Sequence, residues 1–380
     1  MALAGDAEAS SNPPELCADP GIYRSVDSGD TCNLMFGTGD EWGSHGWSSV
    51  TCSADGRQMA TLGPGLIYAS TDSGATWTQA TTGASSALAL ASSADGHRVV
   101  AAGWSSIVRL PYSGPWRLVD AQDVDWQGAA GWSDGTQWVA VGTVSTHDKG
   151  GGRFYASRDS GLTWPPAGQS MFSWNWTSIA CSGDATRLFA TQEYSFGYAG
   201  IVRSLDSGIS WAQTTAPSEP YTSVTSSSDG SKVVAAASAR WDYQNERWVS
   251  HGGIYASTDS GANWTLTSAP ENGWTAVASS ADGTTLVAVS GRLFAGGNRS
   301  ENLLYDGSIY VSSNSGKAWN LTSAPTNHSW FTVASSADGV RLVAASKPEP
   351  YWQGEQRLLS KGGIYVSGDF RQWPTYRPVR

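Results

Sequence analysis

The run Trp274-Thr275-Ala276-Val277-Ala278-Ser279 alternates in side-chain character, and after Ala281-Asp282-Gly283 a second apolar run follows, Leu286-Val287-Ala288-Val289. Alternation on both sides of an Asp-Gly pair predicts a β-hairpin, because glycine and aspartate tolerate the positive φ of a tight hairpin turn. The arrangement returns along the chain, with turn aspartates Asp55, Asp95, Asp134, Asp184, Asp229, Asp282 and Asp338 spaced 39 to 56 residues apart. Eight positions before the turn aspartate stands an aromatic residue: Trp47, Trp126, Trp176, Tyr221, Trp274 or Trp330, with Ala87 the one departure.

Each hairpin is followed by a third alternating run, such as Gly253-Ile254-Tyr255-Ala256-Ser257, which opens onto a second motif, Ser257-Thr258-Asp259-Ser260-Gly261-Ala262-Asn263-Trp264. Complete copies also stand at Ser70 to Trp77, Ser157 to Trp164 and Ser204 to Trp211, and Asn314 replaces the aspartate in the copy from Ser312 to Trp319. Worn copies lie at Ser25 to Cys32, around Ser113-Gly114-Pro115-Trp116, and at Ser367-Gly368-Asp369 with Trp373. The residue types suit a turn between strands: a carboxylate accepts from turn amides, glycine takes positive φ, and tryptophan covers the turn.

Seven such units of four strands, A to D, predict an all-β chain folded as a seven-bladed β-propeller of four-stranded antiparallel blades. Residues 21 to 32 add a third strand and worn box with no hairpin before them. That surplus half unit is an outer cap, part of the ring closure, or the relic of an eighth blade that would make the ring eight-bladed. Residues 1 to 20, polar and carrying Asn12-Pro13-Pro14, read as an N-terminal arm, and 21 to 380 as a single propeller domain.

The boxes resemble the Asp-box, or BNR, repeats of propellers such as sialidases, xyloglucan hydrolases, sortilin-type receptors and a photosystem assembly factor. The resemblance runs from roughly residue 21 to 376. It implies the propeller fold, and it leaves hydrolase, receptor and scaffold functions open. The Arg-Ile-Pro motif that resemblance to a sialidase would require has its nearest match at Arg109-Leu110-Pro111, in a worn box, which argues against sialidase activity.

Antiparallel alternation puts the A–B turns and the boxes on one face and the B–C and D–A connections on the other. The second face carries the variation. Its long B–C connections include Arg240 to Gly252, Gly291 to Gly307 and Ser346 to Gly362, and such loops on a rigid scaffold are where binding and catalysis sit. Trp241, Asp242, Glu246 and Trp248 lie in the first, and Glu349, Tyr351, Trp352 and Glu355 in the last. No repeat position demands these rings, and aromatic faces beside planar polar groups suit a sugar. Trp176, Trp274 and Trp330 begin A strands on this face, so they either ring the channel mouth as further ligand contacts or pack between blades. Carboxylates for glycosidic chemistry would come from Asp40, Glu41, Glu193, Asp242, Glu246, Glu301, Asp306, Glu349 and Glu355. His45 and His328 precede Trp47 and Trp330 by the same two residues, but two histidines without a carboxylate partner make no metal site, and neither metal nor cofactor is expected.

Charge narrows the partners. Lys plus Arg total 23 against 33 for Asp plus Glu, and the formal charge of −10 argues against nucleic acid and acidic membranes. No apolar run is long enough to span a bilayer, and Met1 to Asp6 lacks the regions of a signal peptide, so either an intracellular chain or a mature form is expected. Cys17 and Cys32 bracket the first worn box and are expected to bridge, whereas Cys52 and Cys181 hold equivalent positions in distant units and are expected to stay free. The bridge and the resemblance together favour secretion. The leading expectation is a secreted, monomeric, glycan-binding propeller, with a glycoside hydrolase or polysaccharide lyase on the same face as the alternative, and a protein-binding assembly scaffold as the third reading.

Overall fold

The computed structural model describes residues 21–24, 33–37, 48–63, 66–80, 87–103, 106–110, 117–119, 124–144, 152–168, 176–195, 198–242, 247–291, 293–294, 303–305, 307–324, 326, 328–347, 350–353, 356–359 and 363–367. Six four-stranded antiparallel sheets follow one another as the blades of a β-propeller. Blade five shows the plan: strand A is Tyr221–Ser226, B is Val233–Asp242, C is Arg247–Ser257 and D is Thr265–Leu266, paired in that order. In blade six the strands are Trp274–Ser279, Leu286–Ser290, Ile309–Ser312 and Asn320–Leu321. The outer D strands are only two or three residues long, which leaves little exposed edge for wrong pairing.

The expected seven uniform blades, and the eight-bladed alternative, are not what forms. Six sheets have four antiparallel strands; the remaining large sheet has five, in the order Asn33–Gly37, Gly21–Arg24, Gly363–Ser367, Leu342–Lys347, Ser329–Ser335. Here Gly21–Arg24 runs parallel to Gly363–Ser367, with Gly21 opposite Gly363 and Ile22 opposite Ile364. The N-terminal half unit is thus built into the closure, joining the two ends of the chain in one mixed sheet instead of starting another blade. Counting hairpins cannot reveal this, because a hairpin count does not say which strand completes the last sheet.

Neighbouring A strands touch in a closed circle around the central axis, ending with Ser329–Ser335 against Ser49–Cys52. Their turns are tied by backbone bonds that also close on themselves. Ala54 N donates to Ala94 O (2.7 Å), Ala94 N to Ser133 O (2.8 Å), Ser133 N to Gly183 O (3.3 Å) and Gly183 N to Ser228 O (2.6 Å). Ser228 N then donates to Ala281 O (2.6 Å), Ala281 N to Ala337 O (2.8 Å), and Ala337 N to Ala54 O (2.8 Å). Toward the opposite face, Thr177, Thr222 and Thr275 hydroxyls donate to the carbonyls of Tyr221, Trp274 and Trp330 in the next sheet at 2.9, 3.1 and 2.9 Å. A hydroxyl one residue after the aromatic therefore links sheets that share no ladder.

The boxes work as small hydrogen-bonded turns. In blade five, Ser257 Oγ donates to Asp259 Oδ1 (2.8 Å) while accepting from Gly261 N (2.9 Å), and Asp259 Oδ1 also accepts from Asn263 N (2.9 Å). Ser260 and Gly261 both take positive φ, 57° and 77°, so the serine adopts the left-handed region that glycine was expected to supply alone. Its amide repays that strain by donating to Ser231 O in the A–B turn of the same blade (2.9 Å), which holds the two tight turns together on one face. The core is aromatic: within a blade Trp126 packs edge-on against Tyr155 with centroids 4.7 Å apart and Trp274 against Tyr310 at 5.5 Å, and between blades three and four Phe154 stacks on Trp211 at 3.6 Å.

Candidate functional site

Three consecutive sheets raise β-hairpins on the face opposite the boxes. In blade five, strands B and C simply continue outward, pairing Ala239 with His251, then Trp241 with Trp248 and Asp242 with Arg247 after a register shift at Arg240. In blade six the B–C connection carries a separate hairpin, Leu293–Phe294 with Leu303–Tyr305. In the closing sheet it carries Pro350–Gln353 paired with Gln356–Leu359, which sets Tyr351 opposite Leu358 and Trp352 opposite Arg357. Extended, paired backbone, with register shifts at Arg240 and at Leu293, makes the rim a row of ribbons.

Their roots are locked to the neighbouring blade. Gly252 takes φ 76°, and a Cβ there would overlap Asn272 O and stand 2.8 Å from Ala239 N. Ala239 N donates to Asn272 O (3.3 Å), and Ser238 bridges Gly273. One blade on, Gly307 passes as closely to His328 O of the closing sheet. Asn272 and His328 each stand two residues before an A-strand tryptophan, so the same contact is made twice by equivalent positions.

Glu219 holds that position in blade five, two residues before Tyr221. Its Oε1 accepts from Tyr255 Oη (3.2 Å), while its Oε2 is buried with no partner, and Tyr221 Oη donates to Pro217 O (3.0 Å). Burial, reinforced by the Glu219 charge, pushes Tyr255 up to about 12, so this phenol is a hydrogen-bond donor at every working pH. Glu219 was absent from the carboxylates expected from sequence, because it lies in a short connection and not a long loop. The equivalence with His328, already visible as a two-residue offset, was the signal that could have found it.

The expected ligand contacts divide into groups. Trp176, Trp274 and Trp330 are 2%, 0% and 0% exposed and lie in the clusters between sheets, so their faces are already covered by protein. Trp241, Asp242, Trp248, Tyr351 and Trp352 lie on two hairpin ribbons whose sheets have blade six between them, so backbone position puts them on the same face without bringing the two groups into contact. Glu246, Glu349 and Glu355 lie outside the described residues, as do Trp47, His45, Cys17 and Cys32. No disulfide and no metal-binding cluster occurs among the described residues. Cys52 and Cys181 are free thiols. Burial first, then nearby aspartates, pushes both up to about 12, and Cys181 Sγ donates to Gly131 O (3.1 Å); although each residue keeps some exposed area, its thiol is enclosed.

No protein-family model matches the chain, and no curated protein matches its sequence. Solved structures do resemble it. Hydrazine synthase of Kuenenia stuttgartiensis aligns with a TM-score of 0.60 at 12% identity, covering 82% of this chain and 96% of that one. YCF48 bound to D1 peptide aligns at 0.56 and 13% identity, covering 86% and 93%. The β-propeller domain of Cps50 (Swd1) from Myceliophteria thermophila aligns at 0.57 and 12% identity, covering 80% and 93%. At these identities the likeness establishes the propeller fold alone.

Proposed function

We propose that the chain is a protein-binding propeller whose site is the rim formed by the hairpins of blade five, blade six and the closing sheet. The observation that carries this reading is the row of three successive ribbons, with glycine-tight roots at Gly252 and Gly307. Ribbons on a rigid ring offer unpaired edge amides and carbonyls to an extended segment, and their aromatic positions supply side-chain selectivity. That one structural neighbour is a propeller bound to a peptide is in keeping with such a use of the fold. The Asp-box resemblance accommodates it equally, since scaffolds and receptors carry those boxes. The glycan-binding and hydrolytic readings rest on residue type alone, at Trp241, Trp248 and Trp352.

The test is a peptide array probed with the full chain, beside a variant in which residues 351 to 358 are replaced by a Gly-Asn-Gly turn. We expect the parent to select a set of peptides and the variant to lose them at an unchanged melting temperature. Selection of sugars on a glycan array, or release of reducing ends from a polysaccharide, would sink the proposal. Action outside the cytoplasm belongs to the same reading and rests on a Cys17–Cys32 bridge. Intact-mass measurement before and after reduction with alkylation tests it, a bridge appearing as two extra alkyl groups.

A further inference from the structure

The closing sheet holds two strands of one kind. Gly21-Ile22-Tyr23-Arg24-Ser25 repeats Gly363-Ile364-Tyr365-Val366-Ser367, and both match the C strand residues Gly253-Ile254-Tyr255-Ala256-Ser257 of blade five. The N-terminal copy also has the partner that a C strand has. It pairs antiparallel with Asn33–Gly37, setting Tyr23 opposite Leu34 and Arg24 opposite Asn33. Blade five sets Tyr255 opposite Leu266 and Ala256 opposite Thr265, and blade six sets Tyr310 opposite Leu321 and Val311 opposite Asn320. Gly21–Arg24 and Asn33–Gly37 are therefore a C–D pair that lacks only a B strand.

In every blade strand C runs antiparallel to strand B, and the closing sheet follows suit. There the B strand, Leu342–Lys347, is taken by Gly363–Ser367, with Leu342 opposite Ser367, Val343 opposite Val366, Ala344 opposite Tyr365 and Ala345 opposite Ile364. The N-terminal copy lies one place further out, parallel to the strand that fills this seat, with Gly21 beside Gly363 and Ile22 beside Ile364. Like residues thus stand side by side. Parallel to a strand that is itself antiparallel to B, the copy already points as a C strand must, and it already has the register of the seat. A move inward by one strand, about 4.8 Å, would set Ile22 opposite Ala345, Tyr23 opposite Ala344, Arg24 opposite Val343 and Ser25 opposite Leu342, with neither reversal nor slip.

The seat suits either occupant. Only its fourth residue differs, arginine for valine, and blade four has an arginine at that position: Arg203, opposite Phe189, whose Nη1 donates to Ser260 O of the next box (2.7 Å). The B strand itself is anchored from both sides, Leu342 and Ala344 in the cluster shared with blade six and Val343 and Ala345 in the cluster shared with blade one. It stays in the ring whichever strand covers its edge.

We propose that the closing sheet is a strand-exchange switch, in which Gly21–Arg24 with Asn33–Gly37 displaces Gly363–Ser367 from the edge of Leu342–Lys347. The ring then closes as an ordinary A–B–C–D blade, and the C-terminal strand is released. Two closures built from like residues in like register lie close enough in free energy for a ligand or partner to shift between them. The hairpin Pro350–Gln353 with Gln356–Leu359 hangs between these B and C strands, so exchange frees one of its two roots. That exchange thereby withdraws the third ribbon from use rests on the reading of the rim as a peptide site; the exchange itself does not.

Two pairs of substitutions in the full chain, each in a Cys17→Ser, Cys32→Ser background, test it under slow oxidation with peptide mapping by mass. Ile364→Cys with Ala345→Cys can bridge in the closure described. Ile22→Cys with Ala345→Cys can bridge only after exchange, because two strand spacings, about 10 Å, exceed the roughly 7 Å that a disulfide spans. Both bridges are expected, the second forming more slowly; formation of the first without the second would overturn the proposal, and so would a second bridge found only between two chains. Melting of Ile22→Pro, Ile364→Pro and their combination reads the same point without cysteines. Proline breaks a ladder, and closures that substitute for each other should make the double loss exceed the sum of the single ones. A double loss equal to that sum or smaller, as for a strand and its mere cap, would overturn it. On the peptide array, the chain bridged between positions 22 and 345 is expected to lose the peptides that the parent selects. Formation of both bridges in a chain whose parent selects no peptide would support the exchange and sink the rim.

Discussion

The Cα of Gly252 lies so close to the carbonyl oxygen of Asn272 that no side chain fits between them, and its φ of 76° would strain any other residue. One position therefore sets both the path of the blade-five ribbon and its seating on blade six. Gly252→Ala is expected to cost about 1 to 3 kcal/mol, since clash and backbone strain act together. Gly253→Ala is a fitting control, because the atom it would meet, 2.8 Å away, is the end of the flexible Leu266 side chain. Urea denaturation of both variants checks the difference, and hydrogen exchange should show faster opening at Arg247–Ser257 in the first alone.

The box tryptophans are expected to differ among themselves. Trp77 is 8% exposed and its Nε1 donates to Gly74 O (3.1 Å), so Trp77→Ala should cost about 3 to 5 kcal/mol. Trp264 is only half-buried, and its replacement by alanine should cost less. Chemical denaturation of the pair measures this, and equal losses would mean that the hydrogen-bonded turn and not the ring carries the stability.

Acid should unfold the protein through its turns. Hydrogen bonds lower Asp206, Asp229, Asp259 and Asp282 from about 3.8 to about 2, with Ser210, Ser227, the Asn263 amide and Ser280 as the leading donors. A depressed carboxylate favours the folded state above its unfolded value, and that advantage fades as pH falls from about 4 toward about 2. Melting temperature should therefore be flat above about pH 5 and drop steeply below about 4. Because these carboxylates are exposed, added salt should soften but not abolish the drop. A melting temperature that stays level down to pH 2 would contradict it.

Cys52 and Cys181 should be inert in the native protein. With both thiols held near 12, the thiolate is scarce at pH 8, and enclosure blocks approach of a reagent. A chromogenic disulfide reagent is expected to react with both only after denaturant is added. Prompt reaction of the native chain at either site would show that the strand carrying it opens readily.

Much of this architecture can be read from residues, and its limits have physical causes. Period-two alternation around Asp282-Gly283 and the spacing of Trp274 from that turn identify the A–B hairpin, because both are local demands of strand and turn. The closing sheet is not local: Gly21 pairs with Gly363 across the whole chain, and nothing near either residue announces the partner. Repetition also explains why Trp176, Trp274 and Trp330 were open to two readings. A residue repeated for packing and one repeated for binding have the same spacing, and only burial separates them. Trp132 presents the opposite case, since it breaks the serine repeat two residues before the turn aspartate, and spacing alone does not say what such a break does.

The turn-to-turn bonds that begin and end at Ala54 make a hoop. Each member is held by the one behind and holds the one ahead, so pulling on any strand loads every turn, and the ring has no weakest terminus in the mechanical sense. It follows that chain continuity matters less on the hairpin face than around the hoop. New ends placed at residues 243 to 246, with the natural ends joined, would leave every one of those bonds in place, whereas a single residue inserted beside Ala281 would interrupt the circle at the bonds to Ser228 and Ala337 on either side.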